Sequence, residues 1–219
     1  MTENFKKYLI LGFLFFFPIF VYVFLSTGIN NFAKLPVLTY GVNDIVDLEG
    51  NLSKVSLRDN ISIVGFWGGD IENKKSEALN LNQKIYKRFY EFQDFQFVFL
   101  YNIEESKAIE DLKLELISGV GTDLKKWNFI PTSQSSINDV FNSFKTNIEL
   151  DENFSTPYVF IVDRDLSLRG RDDDEDTGML FGFNSQSVAE INNKMVDDVK
   201  IILAEYRLAL KKNDSLFNE

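Results

Sequence analysis

The run Ile61–Trp67 (ISIVGFW) constrains this chain more than any other feature in it. A strand with one wet face alternates apolar and polar residues. A run that is nearly unbroken instead marks a strand buried on both faces, as in a parallel sheet covered by helices. Phe95–Tyr101 (FQFVFLY) and Tyr158–Val162 (YVFIV) read as further strands, with a short one at Trp127, Phe129 and Ile130 that ends at Pro131.

Between the strands the apolar period changes to that of helices. From Asn73 to Tyr90 it is carried by Ala78, Leu81, Ile85, Tyr86 and Phe89, and from Ser106 to Leu116 by Ile109, Leu112 and Leu116. Ser136 is expected to cap a helix carrying Ile137, Val140, Phe141 and Phe144. Asp163-Arg164-Asp165 turns the chain into an antiparallel strand, Leu166–Arg169. A final helix from about Ser187 to Lys211 bears Val188, Ile191, Met195, Val199, Ile202, Tyr206 and Leu210 on its apolar stripe. Val42–Val46 and Val55–Leu57, flanking Asp47–Asn51, predict an N-terminal β-hairpin. The order is therefore an α/β sheet with helices on both faces.

Ahead of this lies Tyr8–Leu25, without a charged residue. As a helix it spans roughly 27 Å at about 1.5 Å per residue, close to the hydrocarbon thickness of a bilayer. Pro18 is tolerable in such a helix because neighbouring groups re-satisfy the freed backbone. Lys6 and Lys7 precede the run and only Lys34 follows closely, so the positive-inside rule keeps residues 1–7 cytoplasmic. The expected organisation is a transmembrane helix over 8–25, a linker over 26–34, a periplasmic or otherwise extracytoplasmic domain over 35–212, and a frayed tail over 213–219. The location is then the inner (cytoplasmic) membrane. A cleaved signal peptide is the competing reading, but Ser26-Thr27-Gly28 is a poor cleavage site.

Composition excludes whole classes of function. The chain has neither cysteine nor histidine, so thiol–disulfide exchange, cysteine nucleophiles, imidazole acid–base catalysis and Cys/His metal cages are unavailable. Lys and Arg total 23 against 33 Asp and Glu, a net charge of -10, which disfavours nucleic-acid partners. No phosphate-binding glycine loop or serine elbow is present, so catalytic residues and cofactors are expected to be none. Asp172–Asp176 (DDDED) lacks the alternating spacing of a Ca²⁺ loop and reads as a solvated hairpin tip. Glu104-Glu105 and Asp163/Asp165 suit helix starts and turns better than paired catalysis.

Four anchors fall in one order: Gly65-Phe66-Trp67-Gly68-Gly69-Asp70-Ile71 where a strand meets a helix, Trp127-Asn128-Phe129, Thr156-Pro157 before a buried strand, and Leu168-Arg169-Gly170 before an acidic loop. The chain thereby resembles the SCO/SenC family of membrane-anchored, thioredoxin-fold copper chaperones for cytochrome c oxidase assembly. The resemblance implies a thioredoxin-like fold and copper-ligand positions at Gly69, Asn73 and Ser155. None of these side chains suits a soft cuprous ion, and the only sulfurs are those of Met1, Met179 and Met195.

The family pattern also puts Thr156-Pro157 at the proline position facing the active turn, where a cis bond is possible. Two readings follow from the resemblance. The first is a non-catalytic binding or assembly factor for a respiratory oxidase or other envelope complex, docking through an edge at Trp67, Gly68, Gly69, Asp70, Thr156 and Pro157. The alternatives are a copper chaperone with unconventional ligands such as Met179 and carboxylates, or a thioredoxin-like oxidoreductase.

Overall fold

The computed structural model describes residues 3–26, 34–120 and 123–217. The expected linker falls, at 27–33, outside the described residues, as do Met1 and the last two residues of the tail. The chain divides into two units, Met1–Ala33 and Lys34–Glu219.

The first unit is one helix, α1 (Glu3–Ser26), with Pro18 inside it. Its segment Phe5–Phe24 has a mean hydropathy of 2.1 and none of that window is buried. A helix so apolar with so little covered suits a membrane anchor.

The second unit is built on a mixed sheet. Its strands are β1 (Val37–Tyr40), β2 (Ile61–Gly68), β3 (Phe95–Asn102), β4 (Trp127–Thr132), β5 (Tyr158–Val162) and β6 (Ser167–Arg169), ordered β1-β6-β5-β2-β3-β4. The trio β2, β3 and β4 is parallel; β5 runs antiparallel to β2, and β6 to β5. The hairpin β7 (Arg171–Asp174) and β8 (Gly178–Leu180) stands apart, and the short β9 (Phe183–Asn184) returns to pair with β5. Four helical segments cover the sheet. They are α2 (72–89), α3 (Ser106–Val120), α4 (Gln134–Ser143) and α5 (188–217), with π-type turns at Asn82–Tyr86 in α2 and Ile191–Met195 in α5.

Strand parity explains the two cores. Ile61, Ile63 and Trp67 share one face with Phe95, Phe97 and Phe99, against α2, α3 and α5. Val64, Phe66, Val98, Leu100, Phe160 and Val162 point the other way, against α4 and the turns before β2. Gly65 falls on the first face by the same parity, and a Cβ there would lie 2.5 Å from the Phe99 ring. That ring stacks on Trp67 at 4.0 Å between centroids.

Five expectations change. The N-terminal hairpin does not form: β1 pairs instead with the distant β6. Between them, Asp44 accepts from the N–H groups of Ile45 and Leu57 and from Ser56, while Asn51 bonds both Ile45 and Val55. Polar side chains thus take the backbone groups a ladder would use, although Val42, Ile45 and Leu57 remain buried. The cap of α4 is Ser133, whose Oγ accepts from the Ser136 N–H. β4 continues through Pro131, which an edge strand tolerates. The acidic run is only partly a solvated tip. Asp172, Asp173, Glu175 and Asp176 are exposed, but Asp174 turns inward to Lys194 and to the N–H groups of Asp176 and Thr177. Helical geometry in α5 reaches Phe217.

Candidate functional site

The end of β2 is shaped by the chain that faces it. Gly68 has φ +52°, and a Cβ there would sit 2.0 Å from the Asn153 carbonyl oxygen. Only glycine satisfies both the left-handed backbone and that approach. The next N–H, of Gly69, donates to the same Asn153 oxygen at 2.9 Å, and the Thr156 N–H donates to Phe66 at 2.9 Å. On the facing loop, Asp151 Oδ1 accepts from the N–H groups of Asn153 and Ser155, each at 2.9 Å, fixing it as an Asx-type turn. The structure therefore brings together the two segments that carry Gly69, Asn73 and Ser155.

Those three residues sit differently within it. Gly69 is partly exposed and a Cβ there would meet only the Asn153 oxygen, at 3.9 Å, so space does not demand a glycine. Asn73 is exposed and donates to Asp70 at 2.6 Å. Ser155 is buried, and its Oγ has no hydrogen-bond partner.

Of the expected docking edge, Trp67, Gly68 and Thr156 are buried, while Gly69, Asp70 and Pro157 are partly exposed. The Thr156–Pro157 bond is trans. Its polar backbone groups are occupied: the Thr156 N–H by Phe66, the Thr156 carbonyl by Lys74 Nζ at 3.4 Å, and the Pro157 carbonyl by the N–H of Ser185 at 2.9 Å. An extended partner has little left to grip at that bond.

Directly behind the turn lies a buried charge cluster. Lys74 Nζ is 3.2 Å from Glu77 Oε1, with both side chains at most 5% exposed. Glu77 also accepts from Ser185 Oγ at 3.0 Å and from Gln186 Nε2 at 2.9 Å. Buried ions are tolerated only when paired and fully hydrogen-bonded, and this pair ties α2 to the loops on either side of β5 and β9. Sequence reasoning missed it. The signal was present: Lys74 precedes Ala78, Leu81 and Ile85 at helical spacing, so it falls on the buried stripe.

No soft-metal donor set exists at this position. Met195 is fully buried in the core and Met179 is 44% exposed on β8. Among the described residues no cluster of three or more carboxylates, cysteines or histidines is arranged to hold a metal ion. Backbone, amide and hydroxyl groups at the turn do not fit a cuprous ion.

The sequence matches no family model and no curated protein. Solved structures do resemble this chain. BsSco, a member of the Sco family of cytochrome c oxidase assembly proteins, superposes with a TM-score of 0.52 at 16% identity, covering 78% of this chain and 98% of its own. A putative protein disulfide isomerase from Bacteroides thetaiotaomicron gives 0.49 at 13% identity, with 78% and 95% covered. The soluble domain of Sco1 from Bacillus subtilis gives 0.45 at 18% identity, with 76% and 94% covered. The likeness to BsSco establishes a thioredoxin-like α/β fold.

Proposed function

We propose that this is a membrane-anchored, non-catalytic protein whose Sco-like domain binds a partner during assembly of a respiratory oxidase or another envelope complex. The observation that carries this reading is a kept scaffold around an altered turn. Gly68, the Asn153–Thr156 loop and the Lys74–Glu77 pair hold the turn in a defined shape, yet Gly69, Asn73 and Ser155 offer neither thiol nor imidazole. A domain that preserves geometry while lacking redox and soft-metal groups acts through its surface. The charge bias around the anchor supports a cytoplasmic N-terminus with the domain on the far side of the membrane.

The test is an affinity capture of the full-length, detergent-extracted chain, paired with an anaerobic Cu(I) titration of the same preparation. Recovery of an oxidase or envelope subunit, with copper competed away by a weak chelator, supports the reading. One equivalent of copper held against a strong chelator would overturn it in favour of a copper chaperone using Met179 and carboxylates.

A further inference from the structure

The sequence holds four Asn-x-Ser triplets, the acceptor pattern for N-linked glycosylation in a domain exported across a membrane. Three of them, at Asn51, Asn60 and Asn153, have described side chains, and the fold treats them differently. Asn51 is 2% exposed, and its amide donates to the carbonyls of Ile45 and Val55 at 2.9 and 2.7 Å. The Asn60 amide donates to Ser56 and Arg58, and Ser62 of the same triplet is buried against Gln96. A sugar on either nitrogen would displace a bond that the fold uses. Asn153 is exposed, and its side-chain amide bonds to no described residue; only its backbone is engaged, through Asp151 and Gly69. Ser155 completes that triplet. Its backbone N–H and carbonyl are satisfied by Asp151, but its Oγ is buried without a partner. A buried, unpaired hydroxyl works against folding, and alanine would make the same backbone bonds. The fold gives no reason for a hydroxyl at 155. The triplet does, because the Ser or Thr hydroxyl is what marks the asparagine for transfer.

We propose that Asn153 is the acceptor of an N-linked glycan, added on the far side of the membrane before its loop closes. The inference rests on the topology proposed above and goes beyond the binding role. Its timing follows from geometry. Phe154 is held at φ +57°, a left-handed conformation, and Ser155 is 1% exposed, so the folded loop cannot offer the triplet to an enzyme in extended form. The emerging chain can. In the transfer, Asn153 Nδ2 bonds to the anomeric carbon of a polyprenyl diphosphate-linked oligosaccharide. The carbon–oxygen bond to the diphosphate breaks, polyprenyl diphosphate leaves with the electron pair, and Nδ2 gives up one proton to a base of the transferase. No oxidant or reductant is needed. Folding then buries Ser155 and leaves the sugar outward, beside the turn at Gly69, whose N–H meets the Asn153 carbonyl at 2.9 Å.

The experiment takes the full-length chain from its native membranes. Tandem mass spectrometry of the peptide containing Asn153 should place a glycan mass on that residue. Asn153→Gln and Ser155→Ala should each abolish it, Ser155→Thr should keep it, and Asn60→Gln should leave it unchanged. Between the two unglycosylated variants, Ser155→Ala should unfold in urea at a midpoint equal to or above that of Asn153→Gln, with fluorescence of the buried Trp67 and Trp127 reporting the fold. Absence of the glycan at Asn153, its persistence in Ser155→Ala, or a lower midpoint for Ser155→Ala would each overturn the inference. Topology is read separately. The chain has no cysteine, so Glu91→Cys, on an exposed turn before β3, gives a single site for a membrane-impermeant maleimide applied to intact cells or spheroplasts. Labelling from outside without a glycan excludes the modification and leaves the far-side topology standing. No labelling from outside removes both.

Discussion

Lys74 and Glu77 are sealed behind the turn after β2, whereas Lys194 and Asp174 meet where the acidic hairpin lies over α5, with the lysine one-fifth exposed. Each is a lysine–carboxylate pair, and the physical situations differ. In the sealed pair every charge depends on its partner, because no water can replace it. At the hairpin, solvent reaches Lys194, and Asp176 and Arg171 share the load. The contrast teaches that the turn is held by an all-or-none device, while the hairpin is held by graded, pH-sensitive contacts.

The largest expected effect comes from breaking the sealed pair. Glu77→Leu alone leaves a buried ammonium and should destabilise the domain by about 3–5 kcal/mol. Adding Lys74→Met should restore much of that loss. Urea unfolding followed by Trp67 and Trp127 fluorescence measures both, and equal loss in the single and double variants would show that the pair is not the coupling. Next in size is Gly68→Ala, which should cost about 1–3 kcal/mol through its left-handed backbone and the 2.0 Å approach to Asn153. Gly69→Ala should cost far less, since a Cβ there has room. Similar midpoints for the two variants would refute the account of the turn.

The hairpin responds to acid. Burial raises the Asp174 carboxyl, but Lys194 and the N–H groups of Asp176 and Thr177 outweigh it and bring it down to about 2. An ordinary aspartate titrates near ~3.9. The stability it contributes is therefore fully present above about pH 4 and is lost as pH falls toward 2. Asp198 opposes it: burial holds its carboxyl up despite Arg171, so it favours the folded state on the acid side. Asp174→Asn should flatten the fall in stability between about pH 4 and pH 2; an unchanged slope would exclude Asp174 as its source. The smallest effect is Lys200→Ala, which removes an exposed pair with Asp197 and should shift stability by no more than ~0.5 kcal/mol.

Much of the fold was legible because its signals are local. The parity of ISIVGFW and FQFVFLY assigns each side chain to one of two cores, and the spacing of Ala78, Leu81 and Ile85 marks a helix. The hairpin before β2 was misread because Val42–Val46 and Val55–Leu57 have strand composition, while the side chains of Asp44 and Asn51, on the same segment, take backbone groups that a ladder would use. The candidate site divides in the same way. That Gly69, Asn73 and Ser155 carry neither thiol nor imidazole could be read from the residues alone. The closure of Thr156–Pro157 by Phe66, Lys74 and Ser185 could not.

The sequence by itself determined the apolar N-terminal helix, the strand and helix periods, and the lack of sulfhydryl and imidazole groups, since each depends on residue type and near-neighbour spacing. Only the tertiary structure decided that Lys74 finds Glu77 and Thr156, and that Trp67 is core rather than surface. Those outcomes depend on which distant segments meet when the sheet closes, and burial and electrostatic pairing are properties of that meeting.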